Sequence, residues 1–333
     1  MEFGAYPLLF RPVYKAFIWG GTRLAALYGR QLPGSTCAES WEIADRPDGM
    51  SIVRNGPLRE TALGELVRRA PGAVVGRGWR GGPGARFPLL VKIIDAGQRL
   101  SVQVHPDERG AGLCGGEPKT EAWYVLDAQE GACVYAGLRP GTTRAELEAL
   151  LARGEPERAL VRVPAIRGSV IYVPGGLVHA ICEGCLLLEI QQNSNTTYRV
   201  HDWGRTGSDG KPRPLHVDQA MRVIRWDAVS ETQPPALLRS IDGNRLSRLL
   251  RCPYFDLLKL ELAKADTLQK SDCTFHICFT LDGELILEAA GVGVHLRSGE
   301  TCLVPAAIRE YRLAPAGPAQ VLIVTRPGAD YKS

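Results

Sequence analysis

Along this chain of 333 residues, polar side chains interrupt an otherwise regular strand-like alternation at a few places. The run Leu100-Ser-Val-Gln-Val-His has period two, so Gln103 and His105 fall on one face of a strand. Further apolar runs predict strands at Ser40-Trp-Glu-Ile-Ala, Phe87 to Ile94, Ala122 to Leu126 and Ala159 to Val163. Others follow at Ser169 to Val173, Cys185 to Gln192 and Thr196 to His201, and the pattern returns from Tyr254 to Thr325. Helical spacing is confined to 61–70, 142–153 and 218–225. In 142–153, Thr142 or Thr143 can cap, Leu147, Leu150 and Leu151 form the apolar stripe, and Gly154 ends the helix. Many short strands broken by Gly/Pro turns predict an all-β double-sheet barrel with a few short helices. Residues 204–250 carry little strand signal and read as a connector with a linker at Gln233-Pro-Pro.

The last third echoes the middle. Gly168, five residues and Pro174 compare with Gly299, five residues and Pro305; Tyr124-Val-Leu-Asp compares with Phe279-Thr-Leu-Asp. In this alignment Glu310 stands opposite His179 and His276 opposite Glu121, which predicts a second barrel that has lost a set of polar residues.

Composition narrows the class. Hydrophobic residues make up 45% and charged residues 23%, as in ordinary soluble domains, and the net charge of +4 has no basic run behind it. A nucleic-acid partner is not expected. No apolar stretch is long enough to span a membrane, and the N-terminal run is broken by Pro7 and Pro12, so the expected location is the cytoplasm. Nine scattered cysteines read as reduced, mostly buried thiols; Cys182 and Cys185 have C-x-x-C spacing but no second pair. The glycines of 110–116 lack the Gly-Lys-Ser/Thr ending of a phosphate loop and read as a flexible loop.

Gln103, His105, Glu121 and His179 offer an amide oxygen, two imidazoles and a carboxylate. That set suits a borderline divalent metal such as zinc, with positions left for water or substrate. Taken singly, a strand histidine is more often structural, and a buried Glu121 would pair with Lys119 or an arginine. His216, His276 and His295 read as structural or surface residues.

Gly168-x5-Pro174-x-Gly176-x-x-His179 resembles the second motif of the cupin superfamily, without its usual trailing Asn. Ile18-Trp-Gly-Gly-Thr, Glu39-Ser-Trp-Glu-Ile, Leu100 to Pro106 with Lys119-Thr-Glu, and Glu189-Ile-Gln-Gln-Asn-Ser with Thr197-Tyr-Arg-Val-His-Asp-Trp sharpen the match. Together they resemble type I phosphomannose isomerases in their short bacterial form, from about Pro7 to Arg205 and more loosely beyond. The resemblance implies two cupin (jelly-roll) barrels in tandem, a catalytic metal-binding domain over 1–235 and a metal-free one over 236–333. It implies one zinc on Gln103, His105, Glu121 and His179, an essential Arg199, and a lysine at Lys119. The implied reaction interconverts mannose 6-phosphate and fructose 6-phosphate through an enediol. Candidate bases are a metal-bound hydroxide, Glu42, Lys119 or His201, the last standing where the family has an aromatic. Ser101, Lys119 or Arg199 would hold the phosphate of a small phosphosugar, with Trp19 and Glu42 beside the substrate. Asp202 and Arg205 would form an ion pair. The expected state is a monomer or weak homodimer. Other readings are a different metal-cupin reaction, such as a dioxygenase, or a sugar-binding module that has lost catalysis.

Overall fold

The computed structural model describes residues 4–79, 81, 84–207, 210–231 and 233–327. Its contacts divide the chain into two units, and neither is one continuous stretch. One comprises residues 14–41 and 90–232; the other comprises 1–13, 42–89 and 233–333. The division expected at residue 235 follows the chain, whereas the long-range pairings group 1–13 and 42–89 with the C-terminal strands.

The unit containing Gln103 is built on two sheets. One has the strand order Val170–Val173, Glu121–Ala128, Cys185–Gln192, Leu89–Ala96, Glu39–Ile43 and Val13–Lys15. The other has Leu160–Pro164, Cys133–Leu138, His179–Ile181, Val102–Val104 and Tyr198–His201. Side chains from both sheets, among them Ile94, Trp123, Val125, Val134, Ile171, Ile181 and Leu187, make one buried cluster. A second cluster joins Val102, Val104, Val178, Tyr198 and Val200 to the helices Arg144–Ala152 and Val217–Val223. The Arg144–Ala152 helix starts where the Thr143 hydroxyl accepts a hydrogen bond from the Glu146 amide at 3.2 Å, an N-cap worth about 1 kcal/mol. Its Leu147 and Leu150 are buried and Leu151 only partly so, each fully buried leucine contributing about 1.5–3 kcal/mol.

The glycine-rich stretch expected as a loop is instead largely helical, Glu108–Cys114. Asp107 caps it by accepting from the Gly110 amide at 2.7 Å, and a Cβ on Gly110 would come within 3.0 Å of Val223. The cap and this close packing outweigh the entropy cost of the glycines.

The other unit holds an eight-stranded sheet ordered Ala236–Ile241, Asn244–Arg251, Asp256–Leu262, Ala319–Thr325, His276–Asp282, Thr301–Val304, Leu8–Arg11 and Ile52–Val53. Its four-stranded sheet comprises Asp266–Gln269, Glu310–Pro315, Glu284–Ala289 and Val292–Arg297. Along Glu284–Ala289, Leu285, Leu287 and Ala289 are buried while Glu284, Ile286 and Glu288 are exposed, the alternation of a sheet with one wet face. The segment expected as a connector contains the hairpin Ala236–Ile241 and Asn244–Arg251. Asp242 and Gly243 turn it with φ of 57° and 84°, the positive values a two-residue hairpin loop requires. Among the described residues the strand order closes on itself in neither unit.

The internal echo is visible in the register. Glu121 opens a strand flanked by Val170–Val173 and Cys185–Gln192; His276 opens one flanked by Thr301–Val304 and Ala319–Thr325. Val173 pairs with Glu121 as Val304 pairs with His276. His179 and Glu310 each begin a strand in the opposing sheet. All nine cysteines are unbridged, and burial pushes the Cys185 thiol up to about 12, which leaves it poorly nucleophilic.

Candidate metal and substrate site

Three strands bring the polar residues together by register. His179 pairs with Gln103, and Gln103 pairs with Arg199 on its other side. Residues paired in this way share a face, so His179, Gln103 and Arg199 form one row across the five-stranded sheet. Glu121 comes from the opposing sheet, and His105 follows Gln103 by two positions.

The Nε2 atoms of His105 and His179 lie 3.4 and 3.6 Å from the two oxygens of Glu121. One donor atom from each of the three residues falls within 4.8 Å of the others. His105 Nδ1 is 2.9 Å from the Thr196 carbonyl, and His179 Nδ1 is 2.8 Å from the Leu177 carbonyl. A carbonyl only accepts, so each Nδ1 carries the proton and each Nε2 presents its lone pair to the cluster. This is the tautomer of a metal-bound imidazole whose other nitrogen is held by a carbonyl. Burial pushes both imidazoles below their ordinary range and keeps them neutral. For Glu121, burial acts upward, but the Lys119 ammonium outweighs it and holds the carboxyl below its ordinary range.

Gln103 completes the set. Its Nε2 lies 3.3 Å from His179 Nε2, while its Oε1 accepts from Ser101 Oγ at 3.0 Å. A half-turn of the amide exchanges nitrogen and oxygen, and the Ser101 hydroxyl can serve either orientation because it both donates and accepts. The donor set of two imidazoles, one carboxylate and one amide fits a divalent ion.

A chain of buried charges leads away from the cluster. Lys119 Nζ is 2.7 Å from Glu121 and 2.9 Å from His105 Nε2, and 3.4 Å from Glu189. Lys92 lies 3.5 Å from Glu189 and 3.3 Å from Glu39, whose other oxygen accepts from the Trp41 indole at 2.6 Å. Burial acts to lower Lys92, but Glu189 and Glu39 override it and hold the ammonium charged. Glu189 is pushed up, by burial first and then by Glu121. Sequence reading missed Glu39, Lys92 and Glu189. The signal was present: Lys92 and Glu189 each stand alone in an apolar run, where an unpaired charge would be prohibitive.

A cavity of about 310 Å³ opens onto this chain. Trp19, Ser101, Gln103, Lys119, Glu121 and Arg199 line it, as do Glu39, Lys92, Glu189, Arg213 and His216. His105 and His179 are each 1% exposed. Two expected residues are elsewhere. Glu42 is buried, accepts from Thr301 Oγ1 at 3.3 Å and does not line the cavity. Period two explains this, because Glu39 and Trp41 share one face of their strand and Glu42 takes the other. His201 lines a separate cavity with Arg99, Glu157 and Trp203. A register shift between Arg199 and His201 turns it out of the row.

Arg199 projects into the cavity with Thr197, while Tyr198 faces away and donates to the Gly115 carbonyl at 2.6 Å. Arg199 Nη1 donates to Pro214 O at 3.0 Å, and its buried Nε makes no hydrogen bond among the described residues. Asp202 pairs with Arg205 and also with Arg213.

Two family models match the chain: the catalytic domain of type I phosphomannose isomerase over residues 8–136, and the cupin domain of mannose-6-phosphate isomerase over residues 246–325. Mannose-6-phosphate isomerase ManA of Bacillus subtilis is 37% identical over 312 residues, covering 92% of this chain and 95% of that protein. Mannose-6-phosphate isomerase of Streptococcus mutans is 34% identical over 309 residues, with 92% and 95% covered. A crystal structure of the Bacillus subtilis mannose 6-phosphate isomerase superposes with a TM-score of 0.87 at 32% identity, covering 96% of this chain and 99% of that one. With relatives of this identity matched over nearly their whole length, the chain belongs to the type I phosphomannose isomerase family.

Proposed function

We propose that this protein interconverts mannose 6-phosphate and fructose 6-phosphate, using one zinc ion held by Gln103, His105, Glu121 and His179. The observation that carries this reading is the join between the tautomer-fixed cluster and a cavity that also holds Lys119 and Arg199. When bound, the divalent ion supplies Lewis-acid polarisation of a substrate carbonyl. The chain's own residues do the rest. A proton must move between carbon 2 and carbon 1, and Lys119 and Glu189, 3.4 Å apart beside the cluster, are the titratable pair placed to hold and move it. Arg199, permanently charged and with an Nε that makes no hydrogen bond among the described residues, faces the charge that develops on the enediolate. Trp19 and Leu100 give the cavity an apolar flank.

In this reading the two units are cupin jelly-roll barrels in tandem. The unit of 14–41 and 90–232, within the expected 1–235, supplies the whole metal set, and the unit that contains 236–333 is metal-free. The enzyme works in the cytoplasm on a small phosphosugar, as a monomer or weak homodimer, with neither nucleic acid nor membrane as partner; no helix among the described residues is long and apolar enough to cross a membrane.

Metal analysis of the purified protein, paired with a coupled isomerase assay, tests the proposal. One zinc per chain and turnover of mannose 6-phosphate are expected. Bound iron with oxygen consumption would instead favour the dioxygenase reading, and sugar-phosphate binding without turnover would favour the binding module.

A further inference from the structure

Charge is distributed unevenly along the cavity. At its inner end Glu39, Glu121 and Glu189 are interleaved with Lys92 and Lys119 in the ion-pair chain. At its outer end two guanidinium groups, Arg199 and Arg213, line the wall. The carboxylate behind Arg213, Asp202, is shared: it accepts from Arg205 Nη2 at 2.6 Å, from Arg213 Nε at 2.7 Å and from Arg213 Nη2. Arg205 lines the separate cavity, so Asp202 is divided between the two sides and leaves the two guanidinium groups on this wall with a net positive charge. A phosphate monoester carries about −1.5 to −2 at neutral pH.

Arg213 is also held in place relative to Arg199. The His216 amide donates to the Arg199 carbonyl at 2.7 Å, the Arg199 amide donates to His216 Nδ1 at 3.3 Å, and Arg199 Nη1 donates to Pro214 O at 3.0 Å. Pro212 and Pro214 flank Arg213 and restrict its backbone. With Nε and Nη2 committed to Asp202, Nη1 of Arg213 makes no hydrogen bond among the described residues. The Arg213 charge acts against that of Arg199 on the same cavity wall, and an anion bound by both would offset the repulsion.

We infer that Arg213 grips the phosphate of the substrate, and that Asp202 is the positioning residue that aims it. The inference rests on the sugar-phosphate isomerase reading above. It sets the substrate's orientation, with the phosphate at the Arg213 end and carbons 1 and 2 at the Glu121 end.

The test compares the metal-loaded wild-type enzyme with Arg213→Ala and Arg213→Lys. For Arg213→Ala the KM for mannose 6-phosphate should rise about 10- to 100-fold, the scale of one lost charge-assisted hydrogen bond, while kcat stays within about threefold. The inhibition constant of inorganic phosphate should rise in parallel, and Arg213→Lys should recover part of both. Unchanged KM and phosphate inhibition, or a fall in kcat alone, would overturn the inference. Should Arg213→Ala not fold, Arg213→Lys and Asp202→Asn are read instead, each expected to raise KM without lowering kcat. Calorimetric titration with inorganic phosphate separates the two readings. A wild type that binds phosphate through Arg213 but does not turn over the sugar refutes the isomerase reading alone. Normal turnover with phosphate binding unaffected by Arg213→Ala refutes the grip alone.

Discussion

His179 and Gln103 face each other across adjacent strands, with Nε2 to Nε2 at 3.3 Å, and the His179 proton is fixed on Nδ1 by the Leu177 carbonyl. The pair is therefore set up to present two ligand atoms from one row of the sheet. His179→Ala should lower metal affinity by at least ~10- to 100-fold, since removing even a ligand's hydrogen-bond partner costs that much. Turnover should fall with it. Metal content measured after dialysis checks this, and full occupancy in the variant would sink the ligand assignment.

Arg199 stands in the same row, one strand further along. Arg199→Ala should keep its metal and its folded stability yet lose at least ~100-fold in kcat, the scale of one lost oxyanion-stabilising donor. Steady-state kinetics with a metal assay on the same sample decide it. Near-normal kcat would make Arg199 structural and move the catalytic cation to Lys119.

Much of this arrangement is written in local pattern. Gln103 and His105 break a period-two run, and His179 ends a motif whose Gly168 has a φ of 88°. What local pattern does not carry is pairing at a distance. Glu42 was expected beside the substrate, but the strand's alternation gives the cavity to Glu39. His201 leaves the row through a register shift that depends on its partner strand. The hairpin at 236–251 was legible in Asp242-Gly243, but its strands are polar and half exposed, so the apolar pattern is weak. The non-contiguous units follow from pairings such as Leu8 with Leu303, which no window along the chain reveals.

The buried charge chain yields a stability prediction. Lys92 is 5% exposed and stands between Glu39 and Glu189. Lys92→Met leaves both carboxylates buried with one cation fewer. The cost should be about 3–5 kcal/mol, as for other broken buried pairs. Denaturant unfolding of the two proteins measures it, and a loss below about 1 kcal/mol, the range of an exposed pair, would mean that the network is effectively solvated.

In the other unit, His276 occupies the position that Glu121 holds in the echo, and its Nδ1 is 2.8 Å from the Tyr311 hydroxyl. His276→Ala should leave metal content and kcat near wild type while destabilising the fold, since the Tyr311 hydroxyl loses one hydrogen bond, worth about 0.5–1.5 kcal/mol, and the buried ring leaves a cavity. A variant that loses bound metal in step with the substitution would place a second metal in this unit.

Lys270, in the same unit, gives a pH dependence whose sign can be worked out. Its ammonium is 7% exposed and donates to the carbonyls of Thr274, Pro305 and Ala306 at 2.9, 2.9 and 3.2 Å. Burial pushes it down to about 7, against about 10.4 in the unfolded chain. Between those values the unfolded state binds more protons, so stability rises with pH across that window. Below pH 7 both states are protonated and the burial penalty is present in full. The three carbonyls oppose the shift, because they match the three N–H donors of an ammonium and a neutral amine has only two. Wild type should therefore gain stability relative to Lys270→Met between pH 7 and pH 10, by denaturant unfolding at matched ionic strength. A difference that stays flat over that range would mean that the carbonyls hold Lys270 charged throughout, with its folded pKa near that of the unfolded chain.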